Sequence, residues 1–242
     1  MARYLMVEGT LARGPVVLTG REARHARVLR LGAGDRVQLC DGRGQLYTAR
    51  VVTVTRDRVE AEVLEPAPAQ VMPAVSLVLG QALPKAAKMD LVIEKATELG
   101  ADRIIPFTSV RTIPQPRAST RLLRWHRLAE AASKQCGRPM IPEVTDVVPF
   151  DEFLRMTEPL PVKLLLWEGE AERSLRTLLR EGGRPGGVAL AVGPEGGFAP
   201  EEVERARARG FVPVSLGPRI LRTETAGLAA LAIVQYELSE LA

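Results

Sequence analysis

The sequence predicts a two-domain α/β protein, with a small β-rich domain first and a larger domain of alternating strands and helices after it. Three observations carry the prediction. Short segments with a period of two lie between residues 37 and 63. Residues 65–73, with Pro66, Pro68 and Pro73 around Ala67 and Ala69, have no apolar period and read as a linker. Beyond it, near-continuous apolar runs such as residues 188–192 alternate with helical patterns, as the buried strands of a parallel sheet do. The division places the domains at residues 1–70 and 74–242.

In the first domain, Val37 and Leu39 alternate with polar neighbours, Gly42 and Gly44 supply a turn, and residues 47–54 are rich in β-branched side chains. Val59, Ala61 and Val63 alternate with Glu60 and Glu62 after a second turn at Arg56 and Asp57. These segments are the half-buried strands of a small β-barrel. One helix interrupts them over residues 22–31, with His25, Val28 and Leu29 sharing a face, and Arg21, Arg24, Arg27 and Arg30 climb one side at spacings of three.

In the second domain, residues 75–79 form a strand, and Met89, Val92, Ile93, Ala96 and Leu99 mark the buried face of a helix that Gly100 closes. Residues 104–107 give the next strand. A basic helix over residues 120–135 leads to a strand at 162–167, a helix at 173–180 and the strand at 188–192. Pro200, Glu201 and Glu202 open a further helix, with proline in the first turn and acids near its positive end. A strand over residues 212–216 and a closing helix over 224–241 complete the domain.

Composition narrows the function. At 242 residues with 46% hydrophobic content, the chain can bury a sizeable core. Its longest apolar run, residues 226–234, is far short of the roughly 20 residues that cross a bilayer. The first residues lack the apolar core of a signal peptide, so a cytoplasmic protein without membrane attachment is expected. Cys40 and Cys136 are too few for a disulfide framework and read as packed thiols; with only His25 and His126 beside them, no metal is expected. Arginine outnumbers lysine 28 to 5 and asparagine is absent, which fits heat adaptation and fits a GC-rich genome equally well.

The net charge of +4 is unevenly spread: residues 111–138 carry 7 basic groups and 1 acidic group, whereas residues 139–242 carry 11 and 16. A polyanion binder gathers positive charge in this way, because each phosphate neutralised releases counterions. A solvated arginine-rich helix face does so too.

Two glycine-containing loops follow predicted parallel strands, where open α/β sheets place ligands. The first runs Gly193, Pro194, Glu195, Gly196, Gly197, Phe198, and the second covers residues 216–226 from Leu216 and Gly217 to Ala226. Glycine lets the backbone approach a ligand closely. Neither loop is a GxGxxG fingerprint or a P-loop, which removes the usual support for a nicotinamide or nucleoside-triphosphate site. Spacing alone also allows a structural pair of tight turns.

The pair GPEGG at residues 193–197 and LGxRILRxETA at 216–226, followed by a small-residue helix, resembles the bacterial 16S rRNA uridine N3-methyltransferase family, a branch of the SPOUT methyltransferases. The resemblance covers nearly the whole chain. It takes in Arg3 and Tyr4, the segment from His25 through Leu31, Gly34 and Asp35, residues 95–100, Glu130, Ala131 and Ala132 with Gln135 and Arg138, and Pro142. The C-terminal loops are far more specific than the N-terminal matches.

This resemblance implies a C-terminal SPOUT α/β trefoil-knot domain that binds S-adenosylmethionine, and a smaller N-terminal PUA-like β-barrel domain that binds RNA. It implies methylation of uridine N3 in 16S ribosomal RNA, free or in the small ribosomal subunit, by a homodimer with its cofactor pocket at or near the interface. The small-residue stretch 226–234 suits such packing and suits a core helix equally. Cofactor contacts carried over by motif are Leu166, Trp167, Gly193, the backbone of Leu216, Gly217, Ile220 and Leu221, and on the far side Thr223 and Ala226.

For the chemistry, Arg222 is placed to hold a phosphate or to stabilise charge developing on the base. Glu195 and Glu224 are candidates to take the imide proton, or are helix-end charges and loop ties; the base stays unassigned. RNA contacts are expected from Arg3, Arg21, Arg24, His25, Arg27 and Arg30, and from Arg111, Arg117, Arg121, Arg124 and Arg138, mainly to phosphates. Single-stranded or looped RNA is the expected target, since a base must leave its stack before a methyl can reach N3. With 4% aromatic residues, a broad stacking platform is not expected. Ribose 2′-O-methylation on the same fold and a catalytically silent RNA-binding assembly factor are the competing readings. Against the second, no bulky residue replaces Gly193, Gly196, Gly197 or Gly217.

Overall fold

The computed structural model describes residues 4–238 apart from 8, 10, 68–74, 86, 114–119, 170–173, 182 and 184. The chain forms two compact units, one of residues 1–72 with 130–141, the other of residues 73–129 with 142–242. The segment 130–141 therefore groups with the first unit, although the linker-based division assigned it to the second domain.

The first unit contains β1 (Tyr4–Met6), β2 (Gly14–Thr19), α1 (Gly20–Val28), β3 (Arg36–Cys40), β4 (Leu46–Val54) and β5 (Arg58–Pro66). They make a curled five-stranded sheet in the order β1-β3-β4-β5-β2, with β1 parallel to β3 and the other pairs antiparallel. The predicted alternation holds: Val37, Leu39, Val59, Ala61 and Val63 all point into one core. Asp41 Oδ1 fixes the β3–β4 turn by accepting the Arg43 and Gln45 amides at 2.8 and 3.1 Å. β1 and β2 are too short, or too weakly alternating, to stand out in the sequence.

Helix α1 differs from its expected form. It ends at Val28, not 31, and its buried face is Ala23 and Ala26, while Val28 is 74% exposed. Small alanines allow close packing on the sheet, but they weigh little in a search for apolar period. Arg30 lies beyond the helix with φ of +57°, so it does not continue the arginine row. The linker also starts later than expected: Glu65 and Pro66 belong to β5, and buried Ala67 donates its amide to Leu46 O at 2.8 Å. Residues 68–73 lie outside the described residues.

The second unit runs β6 (Ser76–Ala82), α2 (Lys88–Glu98), β7 (Arg103–Thr108), α3 (Arg121–Cys136), β8 (Glu143–Val144), β9 (Val148–Pro149), α4 (Phe150–Met156), β10 (Val162–Leu166), α5 (Leu175–Glu181), β11 (Gly187–Val192), α6 (Pro200–Ala208), β12 (Val212–Val214) and α7 (Thr223–Glu237). Residues 130–136 of α3 belong to the first unit. The strand order is β12-β10-β11-β6-β7-β8, with β9 also on β7, and every pair is parallel. Central β11 is buried at all six positions, which accounts for its unbroken apolar run. Pro213, which lacks an N–H, sits on edge strand β12.

Helix α4 had no distinct signal, yet it supplies Phe150 and Phe153 to a ring cluster with Phe107, Phe198 and Phe211, centroids 5.0 to 6.2 Å apart. All five phenylalanines of the chain are in this core, so none is offered to a nucleobase. Gly80 on β6 admits Phe153: a Cβ there would lie 2.1 Å from its ring. Of the two thiols read as packed, Cys40 is buried, donates to Pro139 O at 3.0 Å, and is pushed up to about 11 by that burial. Cys136 is exposed at the end of α3.

Candidate active site

The carboxyl ends of β10, β11 and β12 meet in a cleft with two adjoining lobes. The first, of about 380 Å³, is lined by Lys88, Glu195, Gly193, Gly197, Arg222 and Thr223 among others. The second, of about 550 Å³, is lined by Trp167, Ser174 and the stretch from Val214 to Leu221. Leu166, Glu168, Ile220, Leu221 and Ala226 border both. The nine residues carried over as cofactor contacts, Leu166, Trp167, Gly193, Leu216, Gly217, Ile220, Leu221, Thr223 and Ala226, all lie on these walls.

Hydrogen bonds fasten the cleft from below. Buried Gln81, near the end of β6, donates Nε2 to Thr223 Oγ1 at 2.8 Å, and Thr223 Oγ1 donates to Gly193 O. Gly193 packs so closely on Phe198 that a Cβ would lie 3.1 Å from the ring. The GPEGG turn is held from outside as well: Arg111 Nη1 donates to Gly196 O at 2.8 Å, and buried Glu202 accepts the amides of Ala199 and Val110 at 3.0 Å each. Gly197 adopts φ of +68°, where any other side chain is strained, and a Cβ there would displace the Glu168 carboxylate.

The second loop is left open. Strand β12 stops at Val214, earlier than expected, and residues 216–222 form the loop before α7. Among the described residues, the backbone groups of Leu216, Arg219, Ile220 and Leu221 make no hydrogen bond. Gly217 has φ of +119° and nothing within 4 Å of the place of a Cβ. The Ile220 side chain is 85% exposed.

Charged groups cluster in the first lobe. Lys88 Nζ lies 3.1 Å from Glu224 Oε1 and 3.8 Å from Glu195 Oε1. Glu195 Oε1 also accepts the Lys85 amide at 2.9 Å. Burial raises the Glu224 carboxyl, but its own backbone N–H, the Lys88 ammonium and the Arg222 guanidinium outweigh that and hold it below the usual carboxylate range. Arg222, the N-cap of α7, is exposed on the same wall. Sequence reasoning singled out both glutamates and Arg222 but missed Lys88, Gln81 and Glu168.

The expected RNA contacts fall into groups. Arg24 and Arg27 are exposed on α1 and Arg30 just beyond it, and among the described residues none of the three forms an ion pair. His25 is half-buried. Arg21 pairs with Glu130 at 3.1 Å, Arg124 pairs with Asp90, Arg121 lies 5.8 Å over the Trp125 ring, and Arg111 holds the GPEGG turn. Arg138 is half-buried beside Tyr4, whose hydroxyl donates to its carbonyl. Arg3 and Arg117 lie outside the described residues.

Fold and cleft together define a class: a parallel α/β domain with a strand-end ligand site, joined to a small curled β unit. Comparison with known proteins is specific. Residues 72–235 match the family described as an RNA methyltransferase domain, and residues 18–64 match the RNA methyltransferase PUA domain. Ribosomal RNA small subunit methyltransferase E of Bacillus subtilis is 30% identical over 91% of this chain and 89% of its own. The protein of that name from Mycobacterium tuberculosis is 34% identical over 90% and 85%. Among solved structures, the methyltransferase E of Neisseria gonorrhoeae bound to S-adenosyl methionine is 34% identical with a TM-score of 0.85, covering 98% of both chains. A Legionella pneumophila protein in complex with the same cofactor is 30% identical, again with a TM-score of 0.85 over 98% of both chains. The chain belongs to this family of RNA methyltransferases, and its second unit is a SPOUT-type domain.

Proposed function

We propose that the protein transfers the methyl group of S-adenosylmethionine to N3 of a uridine in 16S ribosomal RNA. The observation that carries this reading is the two-lobed cleft, which sets the backbone groups of Leu216, Arg219, Ile220 and Leu221, unbonded among the described residues, beside a compact cluster of cations and carboxylates. Relatives named for small-subunit ribosomal RNA methylation support it, one of them solved with the cofactor bound, as does the Legionella methyltransferase solved with the same cofactor.

The residues present fit the cofactor. An adenine ring is recognised by backbone donors and acceptors with apolar cover, and Leu216, Arg219, Ile220 and Leu221 offer both. Gly217 leaves open the space a side chain would fill. Gly193, Thr223 and Ala226 bound the remainder of the molecule. Bound there, S-adenosylmethionine supplies an electrophilic methyl group on a sulfonium.

The first lobe takes the acceptor base. Uridine N3 carries a proton at neutral pH, and its lone pair becomes nucleophilic as that proton leaves. Glu195 is the better placed acceptor: its Oε2 has no partner among the described residues, whereas both oxygens of Glu224 face Lys88. Arg222 holds the RNA backbone at the lobe's edge. Arg24 and Arg27, exposed on α1, position RNA through phosphates.

Homodimerisation belongs to the same reading. Half-buried Ala229, Ala232 and Ile233 and exposed Tyr236 recur on α7 at spacings of three and four, opposite the buried face of Ala230, Leu231 and Val234. No described helix is long and apolar enough to cross a membrane; a cytoplasmic location is part of the same proposed reading, as the compartment in which bacterial ribosomal RNA is modified.

The test is to incubate the protein with labelled cofactor and 16S rRNA lacking the modification, then to digest the RNA to nucleosides and weigh them. N3-methyluridine supports the reading. Label confined to 2′-O-methyl nucleosides makes the protein a ribose methyltransferase instead, and absence of label with binding retained makes it a silent assembly factor.

A further inference from the structure

We propose that Lys88 is a catalytic residue of the methyl transfer. Its ammonium holds one of the two carbonyl oxygens that flank N3 and stabilises the negative charge that spreads onto them as the N3 proton leaves. The inference rests on the reading of the cleft given above.

Lys88 is the first residue of α2, which follows β6 after the five-residue connection 83–87, and it lines the first lobe. A cation at this end of a helix works against the helix dipole. Helix stability therefore gives no reason for a lysine here, and the site does. Glu224 holds the ammonium from the first turn of α7, at 3.1 and 3.2 Å to its two oxygens, while Glu195 at 3.8 Å is beyond hydrogen-bonding distance. An ammonium has three donors, so donor capacity remains for a group entering the lobe, toward which a 35% exposed side chain is open. Arg222 shares the lobe but is exposed and has no ion-pair partner among the described residues. Lys88 is thus the cation already fixed in place, as stabilisation of developing charge requires.

In the step, the N3–H electron pair stays on the base as the proton passes to Glu195 or to water, and the charge is shared among N3, O2 and O4. N3 bonds to the methyl carbon while the S–CH3 bond breaks, its electron pair going to sulfur. Lys88 keeps its proton throughout, and Glu224 is the residue that positions it.

The test compares wild type, Lys88→Met and Lys88→Arg on two 16S rRNA transcripts, one with uridine and one with 5-fluorouridine, whose electron-withdrawing fluorine makes N3–H more acidic. On uridine RNA, Lys88→Met lowers kcat about a hundredfold, the loss typical of one preorganised charge-stabilising donor. Its affinity for S-adenosylmethionine is unchanged, the acid limb of its pH profile moves to higher pH, and Lys88→Arg retains more activity. On 5-fluorouridine RNA most of the loss disappears. Undiminished kcat, or equal fractional losses on both RNAs, overturns the proposal. Should Lys88→Met not fold, the arginine variant decides: an acid limb displaced on uridine RNA alone supports the role, and profiles matching wild type on both refute it. A wild type that methylates neither RNA overturns the reading of the cleft and the role of Lys88 with it, whereas an active wild type with an indifferent Lys88→Met overturns Lys88 alone.

Discussion

The hydroxyl of Thr223 donates to the carbonyl of Gly193 and accepts from Gln81 at 2.8 Å, so the first turn of α7 is pinned to the ends of β11 and β6 at one point beneath the cleft. Among the described residues Gln81 Oε1 has no partner of its own, so this donor bond is one of few that justify burying an amide there.

Thr223→Val keeps the shape and removes both bonds. Leaving a buried donor and acceptor unsatisfied costs about 1–3 kcal/mol each in the general case, and denaturant titration should register a loss of that order. Affinity for S-adenosylmethionine should fall about tenfold, equivalent to ~1.4 kcal/mol. Lost stability with full affinity would mean that the tie does not shape the ligand site.

Glu224 makes stability depend on acid. Its carboxyl is held below the usual range, after burial, chiefly by its own backbone N–H, Lys88 and Arg222. A carboxyl lowered in the folded state adds stability above its unfolded pKa, and this is lost as pH falls through the lowered value. Glu224→Gln should melt earlier than wild type at neutral pH, and the two melting temperatures should converge below the usual carboxylate range. A constant gap down to the most acid condition contradicts this origin.

Arg24→Ala combined with Arg27→Ala removes two exposed cations without disturbing Ala23 and Ala26, which carry the packing of α1. RNA binding should weaken, and the slope of log affinity against log salt should shrink by about 1.4–1.8, two phosphate contacts' worth. An unchanged slope in a filter-binding salt series takes both residues out of the RNA footprint.

Ile233→Glu charges the half-buried apolar stripe on α7 while sparing buried Leu231 and Val234. Wild type should sediment as a dimer and the variant as a folded monomer in analytical ultracentrifugation. Identical sedimentation of the two proteins moves the dimer contact elsewhere.

Much of the fold was legible because strands and turns leave local marks. β11 reads as an unbroken apolar run, α6 begins with Pro200, and the glycines of the two loops punctuate strand ends. The trefoil knot implied by family likeness has no periodic signature at all. Helix α4 was missed because its phenylalanines have meaning only once Gly80 and Phe107 are beside them. The two-residue strands β8 and β9 are too short to show a period. The site was half legible for the same reason. Glu195, Arg222 and Glu224 lie inside recognisable loops, but Gln81 meets Thr223 across 142 residues, and Lys88 meets Glu224 across 136, through a strand order that is not sequential. No local pattern marks such a meeting.

The cleft as a methyl-donor site is tested most directly by calorimetric titration of the pure protein with S-adenosylmethionine, alongside Ala226→Trp, which places an indole on the wall shared by both lobes. One equivalent bound per chain in wild type, and none in a folded Ala226→Trp, is the expected result. Folded wild type that takes up no cofactor, or a variant that binds as well as wild type, contradicts the account.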